Sequence, residues 1–461
     1  MNTAVIGAGL LGLQLARKLR AKGQQVTIFE ASPFVGGLSA PKNYGRFVHD
    51  RFYHVILPQD TETLKLIDEL NLTDKLIWSK ARTGYSYQRR IYPMNGLVDY
   101  LFFPALGFFQ KLRLGLGLRK VRNIQNPSTL YEQSAKDWLT RIFGPQIYQR
   151  FWAPLLRAKF GSYAEKVAAV FLHATMQRLL AARSGIAEKD SFGHLFGGYA
   201  CLFEAMTKDL KALGVSIHLN TPVLRIFEDS EQKSCHLSLK TPEGQKRQTF
   251  DQVYFTGPTE VAHALAEGTA KTHAQETLKN HPSGGTYLGV LCAQLVLTKS
   301  LNPNYILNLD EPDINLTGVI EYSNLCDREA ELAGNHLIFL PRYLPSTDPS
   351  FDLSDEELIP DFLEQIKKLF PNLQDKDIHS VTLDRAQRVQ PLPIAGQTPG
   401  QNTDSEKDLR SPFQILNTSL LACATLNNNE VLGLLRQKNF TINGIGHDEK
   451  EQGSSNRPFS L

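Results

Sequence analysis

The chain has 461 residues, with 50 basic and 47 acidic side chains, 42% hydrophobic residues and a mean hydropathy of −0.26. The balanced charge argues against a nucleic-acid partner, and no uncharged apolar stretch reaches the length of a membrane-spanning helix. A chain of this length exceeds one ordinary hydrophobic core, so we expect two domains.

The cysteines and the first strand bear on cellular location. The cysteines are scattered and lack C-x-x-C spacing, which fits a reducing cytoplasm and predicts no metal site. They are Cys201, Cys235, Cys292, Cys326 and Cys423. The first predicted strand begins at Thr3 and leaves no room for a signal peptide, so we expect a cytoplasmic protein.

A glycine-rich turn between a strand and a helix opens the chain. Residues 3–6 form an apolar strand, residues 7–12 read Gly-Ala-Gly-Leu-Leu-Gly, and residues 13–20 have a helical pattern. A second strand, residues 26–29, ends on Glu30. Strand, G-x-G-x-x-G, helix, strand and terminal acid together predict a dinucleotide-binding unit.

Each part of this motif has a physical role. Gly7 allows the tight turn, Gly9 lets the backbone approach a pyrophosphate, and Gly12 lets the helix pack close to the strand. The free N–H groups of the turn, with Ala8 and Leu11 in it, face the phosphates together with the helix dipole. We expect Glu30 to accept hydrogen bonds from a ribose diol.

A second glycine pair follows the acid and selects among dinucleotides. After Ala31 the chain reaches Gly36-Gly37-Leu38-Ser39, which brings the backbone close to phosphate a second time. An NAD domain does not need this loop. The pattern resembles the FAD-binding signature of the amine oxidase superfamily and favours FAD over NAD, although Leu38-Ser39-Ala40 stands where an arginine is common.

Two later segments carry the same resemblance. A helical pattern over residues 202–213 leads to an alternating strand at 215–219, and a further strand is predicted over 252–258. The resemblance implies that the segment ending at Val223 contacts adenine through its backbone. It also implies that Thr256 and Gly257 lie near the pyrophosphate.

An asparagine cluster marks the C-terminal part. An apolar strand from Phe413 leads to Asn417, and Asn427, Asn428 and Asn429 precede a new helical run. Asparagine is a favoured helix N-cap, and a helix N-terminus beside a flavin would stabilise negative charge on its pyrimidine edge. The alternative is a polar turn with a capped surface helix.

Other segments are similar to the protoporphyrinogen oxidase-like branch of the superfamily. The matching stretches are residues 49–54, 151–161, 318–324 and 385–391, with a similar asparagine-rich stretch near the end. The resemblance spans Thr3 to about Leu435. The superfamily also contains monoamine oxidases, phytoene desaturases and UDP-galactopyranose mutase. The resemblance therefore implies the fold and the cofactor of this chain, but it does not imply the substrate.

The expected fold is α/β, with a Rossmann-like FAD-binding domain that is discontinuous in sequence. We expect residues 1–85, 196–268 and 378–440 to form it. Residues 86–195 and 269–377 would form an inserted substrate domain of mixed sheet and helices. The polar segment 441–461 is predicted to be a tail.

The chemistry implied by the resemblance belongs to the flavin, which accepts a hydride while the protein orients the substrate and excludes water. His54 is the first catalytic candidate, as a contact to the flavin or as an acid or base; a hydrogen-bonded core histidine is the alternative. Tyr53 is either an aromatic wall of the site or part of the core.

Five residues are candidates for substrate contact. Arg157 and Lys159 could face an anionic substrate or form a solvated surface pair. Glu321 and Tyr322 follow a predicted strand, and alternation directs one of them into the cleft. Tyr343 is a further aromatic candidate.

The stretch 97–118 bears on membranes. It combines apolar residues with a basic flank, which is the composition of a monotopic membrane anchor, but Pro104 and Gly107 interrupt the pattern. Peripheral membrane contact and a helix of the substrate-domain core both remain open.

The sequence therefore predicts an FAD-dependent oxidoreductase that acts on a small organic molecule. A second hypothesis is a flavoenzyme resembling UDP-galactopyranose mutase, in which Arg157, Lys159 and Arg342 clamp the diphosphate of a sugar nucleotide. A third is a flavoprotein without turnover, in which FAD stabilises an interaction module.

Overall fold

A computed structural model describes residues 1–124, 126–181, 191–229, 231–280, 283, 285–397, 411–418, 421 and 427–436. Cys423 and the predicted tail 441–461 lie outside these ranges. Within them, no helix is long and apolar enough to cross a membrane. In the same ranges no cluster of His, Cys, Asp or Glu is arranged to hold a metal ion.

The strands are β1 (Asn2–Ile6), β2 (Gln25–Phe29), β3 (Pro41–Asn43), β4 (Val48–Asp50), β5 (Leu76–Lys80), β6 (Thr83–Tyr87), β7 (Arg90–Pro93), β8 (Ser191–Leu195), β9 (Ser216–His218), β10 (Val223–Asp229), β11 (Ser234–Thr241), β12 (Gly244–Phe250), β13 (Gln252–Phe255), β14 (Ala266–Glu267), β15 (Tyr287–Leu297), β16 (Ile306–Asp310), β17 (Gly318–Glu321), β18 (His336–Pro345), β19 (Ile378–Pro391) and β20 (Phe413–Ile415).

The helices are α1 (Leu10–Ala21), α2 (Thr61–Glu69), α3 (Leu97–Phe102), α4 (Phe108–Arg122), α5 (Ala135–Phe143), α6 (Pro145–Ile147), α7 (Ala153–Phe160), α8 (Ala169–Ala181), α9 (Ala200–Ala212), α10 (Thr259–Leu265), α11 (Gly268–Asn280), α12 (Arg328–Leu332), α13 (Asp355–Leu369) and α14 (Asn428–Gly433).

A parallel sheet of five strands carries the N-terminal motif. Its order is β20-β13-β1-β2-β9, and all four pairings are parallel. β1 and β2 are apolar and are joined by α1, which buries its apolar face in a core shared with both strands. The predicted first strand, helix and second strand are confirmed.

A second sheet has seven strands and shares no strand with the parallel sheet. Its order is β19-β15-β18-β17-β16-β6-β7, antiparallel except for the pairing of β16 with β6. Because β19 pairs with β15 along nearly its whole length, residues 378–391 extend this sheet and not the parallel one. The predicted boundary at residue 378 therefore does not coincide with the division between the two sheets.

A helical layer, α3 to α8, packs beside the seven-stranded sheet. Its core is aromatic, with Trp138, Phe143, Phe160 and Phe171 all at most 2% exposed. A smaller sheet in the order β12-β11-β10-β14 covers the other side of the parallel sheet, where Phe29 stacks edge-on against Phe250. The described chain is thus a mixed α/β protein with two main sheets.

Candidate active site

A cavity of about 640 Å³ lies where the strands of the parallel sheet end. Gly7, Glu30, Thr256 and Asn417, which directly follow or nearly follow β1, β2, β13 and β20, all line it. This is the edge at which parallel α/β sheets bind ligands, because the turns after neighbouring strands open there. The volume lies in the range of cofactor sites.

The structure brings most of the predicted site residues together at this cavity. Those that line it are Gly7, Gly9, Leu11, Glu30, Gly36, Gly37, Leu38, Ser39, Tyr53, His54, Lys159, Thr256, Gly257, Tyr343, Asn417, Asn427 and Asn428.

The glycine-rich turn has the geometry of a phosphate cradle. Gly7 has φ of +107°, which a side chain would strain, and a Cβ on Gly12 would lie 2.0 Å from the Gly7 carbonyl oxygen. A Cβ on Gly9 would instead meet no atom within 4 Å, on a wall of the cavity. Gly9 is the N-cap of α1 and offers no side-chain acceptor to the N–H groups of the first turn. These donors fit an anionic group such as a pyrophosphate.

Glu30 holds the loops on both sides of it. One carboxylate oxygen accepts from the Ala8 N–H at 2.7 Å, and the other accepts from the N–H of Ser32 at 2.8 Å and its hydroxyl at 2.7 Å. Within the described residues, the first oxygen keeps one lone pair that accepts no hydrogen bond. Ser32 also lines the cavity and was missed by the sequence reasoning.

The second glycine pair lies against the first loop. The Gly36 N–H donates to the Ala8 carbonyl oxygen at 2.8 Å, and Gly9 and Gly36 form an isolated β-bridge. A Cβ on Gly36 would lie 2.8 Å from the Ala40 Cα, so this close approach requires a glycine. Two backbone loops therefore converge on one side of the cavity.

His54 lies in a chain of hydrogen bonds that begins at this second loop. Its Nδ1 lies 2.9 Å from the Phe52 carbonyl oxygen, which only accepts, so Nδ1 carries the proton. Nε2 is then an acceptor for the Ser39 hydroxyl at 3.2 Å. Burial lowers the pKa of His54 to about 4, and His54 is neutral at pH 7.

Asn428 extends the same chain. Its side-chain oxygen lies 3.3 Å from the Ser39 Oγ. Because Ser39 gives its proton to His54, a rotated amide that donates from nitrogen to Ser39 satisfies both groups. The chain then runs from Asn428 through Ser39 and His54 to Phe52.

Aromatic side chains and one lysine form another part of the cavity wall. The hydroxyls of Tyr53 and Tyr343 lie 3.3 Å apart, and burial raises the pKa of both tyrosines. The Lys159 Nζ lies 5.5 Å from the ring centroids of Tyr343 and Phe171. Burial lowers the pKa of Lys159 to about 8, so it remains mostly protonated at pH 7.

Three predicted substrate residues do not line the cavity. Arg157 is exposed. Glu321 is fully buried, and one carboxylate oxygen accepts from the N–H groups of residues 301 and 302. Tyr322 is also fully buried, with its ring 4.3 Å from that of His49. The expectation that Glu321 or Tyr322 points into the cleft was wrong, because β17, which ends at Glu321, is buried inside the sheet and the turn after it buries Tyr322 as well.

Five predicted cofactor residues do not line the cavity, and three of them contact the loops or a helix next to it. Ala8 is buried and donates to Glu30, and Gly12 packs on Gly7. Asn429 accepts from the N–H groups at the start of α2 at 2.7 and 3.3 Å, and so faces that helix. Ala31 is exposed, and Val223 is buried in β10; neither lines the cavity.

The seven-stranded sheet contributes residues that the sequence reasoning missed. Tyr287 and Val290 on β15, and Arg388 and Gln390 on β19, line the cavity, as does Arg51. β15 and β19 pair over a separation of about a hundred residues, so no local pattern announces their meeting. The stretch 385–391, which resembles the protoporphyrinogen oxidase-like branch, is the sequence feature that contains Arg388 and Gln390.

The parallel sheet, the glycine-rich turn and the cavity at the strand ends describe a mixed α/β protein in which residues of a second sheet also line the cavity. The chain matches the family of flavin containing amine oxidoreductases over residues 12–415 and belongs to this family. It is therefore a flavin-dependent oxidoreductase, and FAD is its cofactor.

Individual relatives span several activities. The chain is 22% identical to 15-cis-phytoene desaturase of Synechococcus elongatus, with 100% of this chain and 99% of that protein covered. It is 25% identical to mitochondrial protoporphyrinogen oxidase of Nicotiana tabacum, with 56% and 58% covered. The crystal structure of an oxidoreductase from Methanosarcina mazei is 17% identical with a TM-score of 0.70, covers 95% of this chain and 99% of that one, and shares the fold.

Proposed function

We propose that FAD lies along the 640 Å³ cavity, with its pyrophosphate at Gly9 and the first turn of α1. Glu30 would hold the adenosine ribose through its remaining lone pair. The flavin ring would lie beside His54 and the aromatic wall. The support is the donor-rich, side-chain-free cradle at Gly9, which offers what a dinucleotide phosphate needs.

We further propose that the cofactor domain is discontinuous. The parallel sheet takes strands from residues 2–29, 216–255 and 413–415, and these segments would bind the cofactor. The seven-stranded sheet with helices α3 to α8 would form the substrate domain. This assignment places β6 and β19 in the substrate domain.

FAD, when bound, supplies the redox chemistry by accepting electrons from the substrate. The chain's own residues then bind, orient and exclude water. His54 has its Nε2 lone pair directed at Ser39 and is neutral, so we assign it to positioning the second glycine loop against the site rather than to proton transfer. Tyr53 and Tyr343 would form a wall for an apolar or aromatic substrate.

The charge at Lys159 selects the substrate class. We propose a neutral or anionic organic substrate and not an ammonium ion. Among the described lining residues the one carboxylate is Glu30, which is already engaged by the glycine loop. An ammonium group near Lys159 would therefore meet a like charge in a partly dry site, which is unfavourable by Coulomb's law.

The hypothesis of a sugar-nucleotide mutase loses its proposed diphosphate clamp. Arg157 is exposed outside the cavity, and Arg342 contacts Asp361 and lies 4.2 Å over the ring of Phe362. Lys159 alone of the three lines the cavity. The geometry therefore favours oxidation of a substrate over phosphate-directed sugar binding.

Anaerobic reduction of the FAD-loaded protein tests this proposal. Polyenes, porphyrinogens, primary amines and sugar nucleotides are mixed with it, and flavin bleaching is followed by absorbance. We expect bleaching by a neutral or anionic substrate and none by amines. Rapid bleaching by an amine, at a rate that Lys159→Met leaves unchanged, would contradict the substrate class; failure of the protein to bind FAD would contradict the site itself.

A further inference from the structure

One surface of the helical layer exposes apolar side chains that a folded protein usually covers. It consists of Phe102, Phe108, Phe109, Leu112 and Leu116, which we call the phenylalanine surface. They are 80%, 69%, 83%, 58% and 60% exposed and are the five most exposed large apolar side chains of the described residues. Exposed large apolar side chains that are grouped in this way mark an interaction surface.

The geometry of α4 explains why these residues point outward. Phe108, Leu112 and Leu116 recur at intervals of four and share one face of the helix. The opposite face is packed inside: Leu114 and Val121 are buried, and a Cβ on Gly117 would lie 2.3 Å from the Phe143 ring. The helix is therefore fixed against the core on one side and cannot turn its apolar outer face inward.

The chain segment that carries this surface has charges of one sign. Residues 100–131 contain five basic side chains and no aspartate or glutamate. Of these five, Arg113, Arg119, Lys120 and Arg122 are exposed on α4. Asp99 lies just before the segment, and its carboxylate accepts from the N–H groups of residues 95 and 96.

We infer that the phenylalanine surface docks the protein on an anionic lipid bilayer. Phenyl rings and leucines enter the boundary between headgroups and acyl chains, and the basic side chains lie at the level of the phosphates. Helix α4 has 15 residues, too few to span a bilayer, and its inner face is held by the protein core, so it lies parallel to the membrane. Exposed aromatic groups with an excess of positive charge and no acid match such a lipid surface better than a protein partner of mixed charge.

Flotation of the full-length FAD-loaded protein with lipid vesicles tests this inference. Vesicles of phosphatidylcholine alone are compared with vesicles that contain about a third phosphatidylglycerol. We expect binding to the anionic vesicles, weaker by roughly tenfold or more on the zwitterionic ones, and reduced by added salt. Binding to neither type of vesicle would overturn the inference.

Two double variants separate the apolar from the ionic contribution. Phe108→Ser with Phe109→Ser should abolish binding, and Arg119→Gln with Lys120→Gln should remove about tenfold of the preference for anionic lipid. Phe227→Ser is the matched control, because Phe227 is 44% exposed but lies on β10, away from α4. Unchanged FAD content and circular dichroism show that each variant is folded.

Two outcomes would assign the surface to another partner. If the phenylalanine double variant binds vesicles as well as the unmodified protein, the lipid contact lies elsewhere. If light scattering shows a dimer that the same variant converts to a monomer while vesicle binding is absent, the surface is a contact between two copies. Each of these results rejects the lipid docking that we infer here.

Discussion

The Ser39 hydroxyl lies 3.2 Å from the Nε2 of His54 and connects the second glycine loop to the wall of the active cavity. The same histidine donates from Nδ1 to the Phe52 carbonyl oxygen at 2.9 Å. With both ring nitrogens engaged and a pKa of about 4, His54 is a fixed neutral link between two loops. A histidine in this state positions its neighbours and does not exchange protons near pH 7.

Removal of this link should slow catalysis without loss of FAD. We expect His54→Ala to lower the rate of flavin reduction by about tenfold to a hundredfold, because displacement of a reacting group by less than an ångström has effects of this size. Single-turnover absorbance measurements give the rate. Ser39→Ala should reproduce part of the loss, since it removes the donor to Nε2.

The pH profile distinguishes this role from acid–base catalysis. A histidine that transfers protons would place an inflection near its ordinary pKa in the reduction rate of the unmodified protein, and His54→Ala would remove it. We expect instead parallel profiles for both proteins between pH 5.5 and 8. An inflection that vanishes in the variant would contradict the positioning role.

Gly9 gives a sharp test of where the cofactor lies. Its φ of −71° suits any residue, and a Cβ there meets no protein atom within 4 Å. Gly9→Val should therefore fold normally and yet lose FAD, because the side chain occupies the place proposed for the pyrophosphate. The yellow colour and the FAD released on denaturation are measured per mole of folded protein.

Two other glycines supply the controls. Gly115 on α4 also has open space at its Cβ position, so Gly115→Val should retain FAD. Gly12→Ala should fail to fold, because its Cβ would lie 2.0 Å from the Gly7 carbonyl oxygen. Stoichiometric FAD in folded Gly9→Val protein would place the pyrophosphate elsewhere.

Replacement of Glu30 should weaken FAD binding and also remove the hydrogen bonds that order the two loops. Its carboxylate accepts three hydrogen bonds from Ala8 and Ser32, and we propose that the remaining lone pair accepts from the ribose. A charge-assisted hydrogen bond is worth about 1.5–3 kcal/mol, so Glu30→Ala should weaken FAD binding about tenfold to a hundredfold. Titration of the apoprotein with FAD measures this; an unchanged dissociation constant would assign Glu30 to the loops alone.

Local patterns allowed the first part of the site to be predicted. β1, α1 and β2 follow from apolar runs, a glycine turn and a terminal acid that are all within 30 residues. The N-cap role of Asn427, whose side-chain oxygen accepts from the Glu430 N–H at 2.8 Å, also followed from residue type and position. In such cases the sequence neighbours are also the spatial neighbours.

The rest of the site depends on pairings between distant segments. Alternation along β17 predicted one residue facing the cleft, but β18 and β16 flank this strand and place Glu321 in the core. Tyr287 and Arg388 reach the cavity because β15 pairs with β19, although the two strands are about a hundred residues apart in the chain. Which face of a central strand meets a ligand is set by tertiary packing.

Lys159 should give ligand binding a characteristic dependence on pH. Its amine has a pKa of about 8 through burial, so it is charged below pH 8 and neutral above. An aryl carboxylate such as benzoate, followed by the change in flavin absorbance, should bind with a constant affinity from pH 6 to 7.5. Above pH 8 the affinity for benzoate should fall as the amine loses its proton. The Lys159→Met variant should bind benzoate about tenfold to a hundredfold more weakly at pH 7, and its affinity should not fall further above pH 8.

Lys136→Met is the control for this variant, because Lys136 pairs with Glu165 at the surface. Equal benzoate affinity at pH 7 and pH 9.5 in the unmodified protein would show that the Lys159 charge does not face the ligand.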